Sequence, residues 1–227
     1  SPGGPPMLDL ALSLDNELGE AVRIAHAASS ILRDARDSSL DVMRKQDDSI
    51  VTAADLASDE FIRGELTRLF PDDGILSEES AYQAGKSGRT WIIDPLDGTR
   101  GYSQGGNDYA IQIGMVMDGE AVLGVVAEPE TKRIYRGLKG VGTFLSSDVN
   151  GTMRQLRVSK KVDFRDMTLV TSSRYPEERL KALATALGTG SVSSAPSVGC
   201  KIGRLTRREA DLYFSAHPVS YWDSCAP

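Results

Sequence analysis

The chain has 227 residues and a formal net charge of −6, and at 40% hydrophobic and 26% charged residues its composition is that of a globular rather than a disordered protein. The acidic balance argues against general nucleic-acid binding, which depends on basic patches, and no apolar run approaches the roughly 18 residues that a membrane span needs. With two cysteines and no signal-peptide pattern, we expect a soluble, cytoplasmic protein.

The predicted elements begin after residues 1–6, a stretch rich in Pro and Gly that we interpret as a flexible extension or a cloning remnant. Apolar residues at helical spacing predict one helix over 14–36 and a second over about 52–70, which a Pro-Asp-Asp-Gly turn ends. Short apolar segments predict strands at 74–76, 91–93, 109–117, 121–127, 133–135, 142–145 and 155–158. The third and fourth of these strands flank an Asp-Gly turn and should form a hairpin.

The last part of the chain alternates strands with helices. Strands are predicted at 167–171, 191–194 and 212–215, and helices at 177–187 and about 198–209. Such alternation is typical of α/β structure. We therefore expect an N-terminal α+β half over 7–155, which carries the acidic motifs, and a C-terminal α/β half over 156–227.

The segment W-I-I-D-P-L-D-G-T carries most of the chemical information. Asp94 and Asp97 follow an apolar strand three residues apart, in a turn stiffened by the intervening proline. Their carboxylates and the carbonyl of Leu96 supply three oxygens of the kind that Mg²⁺ prefers. Gly98 and Thr99 follow, where a helix start would favour a phosphate. The alternative for this motif alone is an Asx-rich turn with an N-cap threonine.

Acidic residues at three further sites accompany this motif, and each site has a simpler interpretation. Glu78 and Glu79 are adjacent like charges, which a cation would neutralise but which a solvated loop would also tolerate. Asp55 follows Thr52 at the spacing of a capping box, and capping is compatible with catalysis if Asp55 also faces the metal site. Asp223 follows a tryptophan near the end of the chain, where a lone aspartate is commonly a cap or a turn residue.

The ordered set V-T-x-x-D, E-E, W-I-I-D-P-L-D-G-T and W-D resembles the Mg²⁺-dependent, lithium-sensitive phosphatases of the inositol monophosphatase superfamily, over roughly residues 14–227. This superfamily includes inositol monophosphatases, inositol polyphosphate 1-phosphatases and 3′(2′),5′-bisphosphate nucleotidases. The resemblance implies a layered α-β-α-β-α sandwich. Chains of the family normally continue beyond the W-D motif, so it also implies that the C-terminal half is cut short at residue 227.

The resemblance implies a role for each acidic position. The metal ligands would be Glu78, Asp94, the Leu96 carbonyl, Asp97 and Asp223, holding two or three Mg²⁺ ions. The catalytic residues would be Asp55 and Thr99, which orient and deprotonate the attacking water, with Glu79 in support. The phosphate would be bound by the backbone N–H groups of Gly98 and Thr99.

The substrate implied is a small phosphate ester. The G-C-K and W-D-S-C-A-P motifs are similar to those of bisphosphate nucleotidases, so Lys201 would contact the nucleotide, together with Ser173, Arg174 and His217. Alternatively, Lys201 is a solvated helix lysine and His217 an ordinary loop residue. Lys45 is a further candidate to pair with the acidic cluster.

The function implied is removal of the 3′-phosphate of 3′-phosphoadenosine 5′-phosphate, giving AMP. An inositol monophosphatase or inositol polyphosphate 1-phosphatase is the alternative within the superfamily. A catalytically silent phosphate- or metal-binding relative is the alternative outside enzymes. The sequence does not predict an oligomeric state.

Overall fold

The computed structural model describes residues 14–37, 42–44 and 50–227. The predicted extension over residues 1–6 and the candidate Lys45 lie outside these ranges. The described residues combine α-helices with β-strands, and the strands of the middle of the chain follow one another without an intervening α-helix. Among the described helices, none combines the length and the apolar character that crossing a membrane would require.

The helices confirm the main helical predictions. They are α1 (Asp15–Asp37), α2 (Ala53–Leu69), α3 (Thr99–Ser103), α4 (Glu177–Leu187), α5 (Val198–Thr206) and α6 (Tyr221–Ser224), with a 3₁₀ turn at Phe164–Asp166. Helix α5 ends earlier than the predicted residue 209. Arg208 has φ of 64°, a left-handed conformation that does not continue a right-handed helix.

The strands fall into three sheets. They are β1 (Val42–Arg44), β2 (Ile50–Thr52), β3 (Gly74–Ser77), β4 (Arg89–Asp97), β5 (Ala110–Met117), β6 (Glu120–Glu128), β7 (Arg133–Leu138), β8 (Gly142–Ser146), β9 (Arg154–Leu156), β10 (Thr168–Ser172), β11 (Ser191–Ala195) and β12 (Leu212–Tyr213). Strand β4 is longer than predicted, since it continues through the acidic motif. The strand predicted over 155–158 begins one residue earlier and ends at Leu156, and β12 ends two residues before its predicted end.

The largest sheet has seven strands in the order β3-β4-β5-β6-β7-β8-β9, with β3 parallel to β4 and the other neighbours antiparallel. The predicted hairpin is its β5–β6 pair. Helix α1 contacts β5, β6, β7 and α2, and α2 contacts β4. The core between these helices and the sheet contains fully buried Leu32, Ile62, Trp91, Ile111 and Val125. Burial of this apolar surface fixes α2 against β4.

A second, three-stranded sheet has the order β11-β10-β12, with parallel pairing throughout. Helix α5 contacts all three of its strands and also contacts β5 and β6 of the large sheet. Buried Cys200 on α5 packs with Ala110 of β5 and Val126 of β6. Helix α5 therefore links the two sheets beside the end of β4.

Candidate active site

Three carboxylates converge at the end of β4. Asp94, Asp97 and Asp223 each offer an oxygen, and these oxygens lie within 4.8 Å of one another. Asp94 pairs with Gln112 of β5 and Asp97 with Ala110, so β4 carries one extra residue between them. This bulge aims both β4 carboxylates at one place, as bulges next to active sites commonly do. Asp223 comes from α6, which contacts β4 and β5.

The electrostatics of this group favour a bound cation. Asp94 is buried, and its pKa lies well above its usual range because of burial, and then because of the charges of Asp97, Glu78 and Asp223. Burial also raises the pKa of Asp97, against hydrogen bonds that stabilise its charged form. Closely spaced carboxylates in a buried site repel one another unless protons or a cation neutralise them. All the ligand atoms are hard oxygens, so the donor set fits Mg²⁺.

Asp97 is oriented by three donors that the sequence did not reveal. Its Oδ2 accepts hydrogen bonds from Gln112 Nε2 at 2.7 Å, Ser197 Oγ at 2.6 Å and the backbone N–H of Gly199 at 2.7 Å. Ser197 is the N-cap of α5, and its Oγ also accepts from the N–H of Cys200. The only sequence signals were an amide inside an apolar strand and a serine before a helix. The first turn of α5 and its N-cap thus orient one of the three carboxylates that converge at the end of β4.

The capping residue Asp55 also reaches the acidic turn. Its Oδ2 accepts from the N–H of Thr52 at 2.8 Å and from Thr52 Oγ1 at 2.5 Å. The N–H of Asp55 in turn donates to Thr52 Oγ1 at 3.4 Å, which completes the predicted capping box. Its Oδ1 accepts from Thr99 Oγ1 at 3.0 Å. Thr99 Oγ1 also lies 3.0 Å from the Leu96 carbonyl. Burial raises the pKa of Asp55, which strengthens its carboxylate as a base.

The two glutamates follow β3, which runs parallel to β4. The N–H of Glu78 donates to the carbonyl of Ile93 on β4 at 3.2 Å, and both Glu78 and Glu79 are half-buried. The charge of Glu78 contributes to the raised pKa of Asp94, so Glu78 lies beside the carboxylate cluster. Among the described residues, the tightest group of candidate ligands contains the three aspartates and neither glutamate.

Gly98 occupies the backbone position that makes the turn possible. Its φ of 92° is left-handed, where side chains are strained, and a Cβ there would lie 3.1 Å from the carbonyl oxygen of Asp108. Gly98 is the N-cap of α3, which begins at Thr99. The backbone at these two residues therefore leaves the strand and enters a helix directly beside the acidic cluster.

The candidate substrate residues differ in their surroundings. Lys201 is only 3% exposed, which rules out the alternative of a solvated helix lysine, and its Nζ lies 5.3 Å from the ring centroid of Tyr213. Burial lowers the pKa of Lys201, while the nearby charges of Asp97 and Asp223 raise it and that of Arg174 lowers it. Ser173 and Arg174 are exposed in the turn after β10. The structure brings Lys201 near Asp97 and Asp223, and Arg174 near Lys201.

His217 packs against the ring of Tyr175. Its exposed ring stacks on Tyr175, with centroids 5.5 Å apart and planes 15° from parallel. Tyr175 OH accepts a hydrogen bond from the N–H of Ala216. The ring therefore has a stacking partner within the chain, which leaves its role as a substrate contact a prediction.

Known proteins resemble this chain over most of its length. The model of the inositol monophosphatase family matches residues 14–227. The chain belongs to the inositol monophosphatase family. It is 31% identical over 223 residues to the 3′(2′),5′-bisphosphate nucleotidase CysQ of Salmonella typhimurium. The aligned region covers 97% of this chain and 85% of that protein. It is also 31% identical over 221 residues to a histidinol-phosphatase of Mycobacterium tuberculosis, covering 96% and 81% of the two chains.

A solved structure confirms the predicted fold. The crystal structure of the extragenic suppressor protein suhB from Bartonella henselae superposes with a TM-score of 0.84, at 22% identity, over 93% of this chain and 82% of that one. The layered sandwich is therefore the fold of this inositol monophosphatase family member. Family membership makes it a phosphatase of small phosphate esters, while the names of its relatives show that the preferred ester varies within the family.

Proposed function

We propose that this family member is a Mg²⁺-dependent phosphomonoesterase that removes the 3′-phosphate of 3′-phosphoadenosine 5′-phosphate and releases AMP. The observation that carries the proposal is the convergence of Asp94, Asp97 and Asp223 beside the Asp55–Thr99 hydrogen bond. The first group can hold cations and the second can accept a proton. The similarity to the bisphosphate nucleotidase CysQ supports this choice of ester.

The three aspartates, with Glu78 and the Leu96 carbonyl, would hold two or three Mg²⁺ ions. Bound Mg²⁺ supplies a water of lowered pKa and stabilises the negative charge on the departing oxygen. The protein's part is to keep these oxygens in place. Asp97 is fixed through its Oδ2 by Gln112, Ser197 and Gly199, and Asp223 accepts from the N–H of Ser220 at 2.8 Å.

Asp55 and Thr99 act on the attacking water, with Glu79 in support. The water oxygen forms a bond to phosphorus as the bond from phosphorus to the 3′ oxygen breaks on the opposite side. Thr99 Oγ1 passes its proton to Asp55 Oδ1 and takes the proton that the water loses, a path that the 3.0 Å hydrogen bond between them supports. The departing 3′ oxygen takes a proton from solvent. The N–H groups of Gly98 and Thr99 bind the phosphate oxygens.

The second phosphate of the substrate needs a cation outside the carboxylate cluster. Lys201 fits this role because it is a buried cation close to Asp97 and Asp223, and Arg174 lies near it. A buried ammonium is poorly solvated, so pairing with a substrate phosphate would be favourable. Ser173 and the exposed ring of His217 would contact the nucleoside.

A substrate panel tests the proposal. Phosphate release is measured with Mg²⁺ on 3′-phosphoadenosine 5′-phosphate, inositol 1-phosphate, an inositol 1,4-bisphosphate and histidinol phosphate, with Asp94→Asn as the inactive control. We expect the highest kcat/KM for the nucleotide. Preference for an inositol phosphate would favour the inositol phosphatase alternative. Binding of phosphate without turnover of any ester would favour a catalytically silent relative.

A further inference from the structure

Helix α2 presents a row of buried polar residues to two acidic segments: the end of β4, and the loop that carries Glu78 and Glu79. Asp55, Ser58 and Asp59 are all buried on this helix. Asp55 reaches Thr99, the first residue of α3, and Ser58 Oγ donates to the Pro95 carbonyl in the last part of β4 at 2.9 Å. Asp59 is one helical turn beyond Asp55 and points to the other loop.

Asp59 holds both ends of the loop that carries the two glutamates. Its Oδ1 accepts a hydrogen bond from Ser77 Oγ at 2.5 Å, and its Oδ2 accepts one from Ser80 Oγ. These serines immediately precede and follow Glu78 and Glu79. The carboxylate is only 4% exposed, so these bonds are charge-assisted and shielded from water.

We infer that Asp59 is a positioning residue for the metal site: it fixes the Ser77–Ser80 segment so that Glu78 faces Asp94. This inference rests on the proposed function, because it assigns Glu78 to a metal site. Asp59 need touch neither metal nor substrate. Residues that orient metal ligands in this way typically change metal affinity 10- to 100-fold when they are replaced.

A purely structural role for Asp59 would leave a different signature. Arg63 Nη1 lies 3.8 Å from Asp59 Oδ2, one turn along the same helix, so the carboxylate also has a local ionic partner. If that pair were its whole contribution, replacement of Asp59 would lower the melting temperature and leave Mg²⁺ affinity unchanged. Metal affinity therefore separates the two roles.

The experiment measures Mg²⁺ binding by isothermal titration calorimetry on the full chain without substrate. The variants are Asp59→Asn, Ser80→Ala and, as matched control, Glu60→Gln, which neutralises an exposed carboxylate at the next position of α2. We expect Mg²⁺ binding about 10- to 100-fold weaker in Asp59→Asn, a smaller loss in Ser80→Ala, and wild-type affinity in Glu60→Gln. At saturating Mg²⁺, the kcat values of Asp59→Asn and Ser80→Ala should recover to near wild type.

Each outcome decides the matter. If the wild type binds Mg²⁺ and neither Asp59→Asn nor Ser80→Ala weakens that binding, the inference on Asp59 is wrong and the proposed function stands. If the wild type binds no Mg²⁺, the proposed metal site fails and the inference fails with it. Should Asp59→Asn not fold, Ser80→Ala decides, because it removes one hydroxyl and leaves the Asp59–Arg63 pair intact.

Discussion

The end of β4 and the neighbouring second sheet contribute to the site in different ways. Around β4, Asp55, Asp94 and Asp97 are buried, and each accepts hydrogen bonds that orient its carboxylate: Asp94 from its own strand, and Asp55 and Asp97 also from distant segments. Beside the second sheet, Ser173 and Arg174 are exposed in a turn, whereas Lys201 on α5 is buried. A precisely fixed region suits the chemical step, whereas a more open one suits the choice of ester. Relatives that share a fold and differ in named substrate are what such a division would produce.

The largest expected effect comes from substitutions in the buried region around β4, at Asp55 and Thr99. Asp55→Asn should lower kcat by about 10²- to 10⁴-fold, the usual contribution of a general base. Thr99→Val should approach the same loss, since it removes the hydroxyl between Asp55 and the water. Thr99→Ser keeps that hydroxyl and serves as the matched control. Steady-state kinetics at saturating Mg²⁺ check the series, and equal losses in the serine and valine variants would contradict the proton path.

The second prediction acts on the other side of the comparison. Lys201→Met should lower kcat/KM for 3′-phosphoadenosine 5′-phosphate by about 10- to 100-fold, the size expected for loss of one charged hydrogen bond. Turnover of a monophosphate such as inositol 1-phosphate should change little. Lys181→Met, at an exposed position on α4, controls for loss of positive charge in general. An equal loss on both esters would mean that Lys201 supports the fold or the metal site and not the second phosphate.

The acidic motif at the end of β4 and the capping box of α2 could be predicted from the sequence, because the residues that form each of them are close together in the chain. Asp94, Asp97 and Gly98 lie within one short motif whose turn chemistry is legible in the residues themselves. The capping box of Thr52 and Asp55 is equally local, and the structure shows that capping and the contact with Thr99 coexist. The helices predicted over 14–36 and about 52–70 are observed over Asp15–Asp37 and Ala53–Leu69, because helical spacing and the turn residues that end a helix are local signals too.

The contacts between distant segments could not be predicted in this way. Ser197 and Asp97 are 100 residues apart, and Gly199 meets the same carboxylate only because α5 packs against β5 and β6. Burial of Lys201 depends on the same packing, so the sequence left open whether it was solvated. The early end of α5 reflects the left-handed backbone at Arg208, which no residue type at that position signals.

The smallest expected effect concerns stability of the metal-free protein. The pKa of Asp94 is raised in the folded state above the value of about 3.9 in an unfolded chain. Protonated Asp94 therefore contributes to the stability of the folded state. This contribution is complete at pH values below the pKa of the unfolded chain and is lost as the pH rises through the pKa of the folded protein. Asp94→Asn removes the charge, so with metal chelated it should be more stable than the wild type at pH 8.

Chemical denaturation in a chelator between pH 5 and pH 8 measures this difference in the free energy of unfolding. The advantage of Asp94→Asn should grow as pH rises, and added Mg²⁺ should reverse it, because only the wild-type carboxylate gains a cation. Asp118→Asn is the control, since Asp118 is exposed in the β5–β6 turn and asparagine tolerates its left-handed φ of 51°. An advantage that did not change with pH would show that Asp94 is already neutralised within the chain, and the case for a cation between the three aspartates would lose its electrostatic basis.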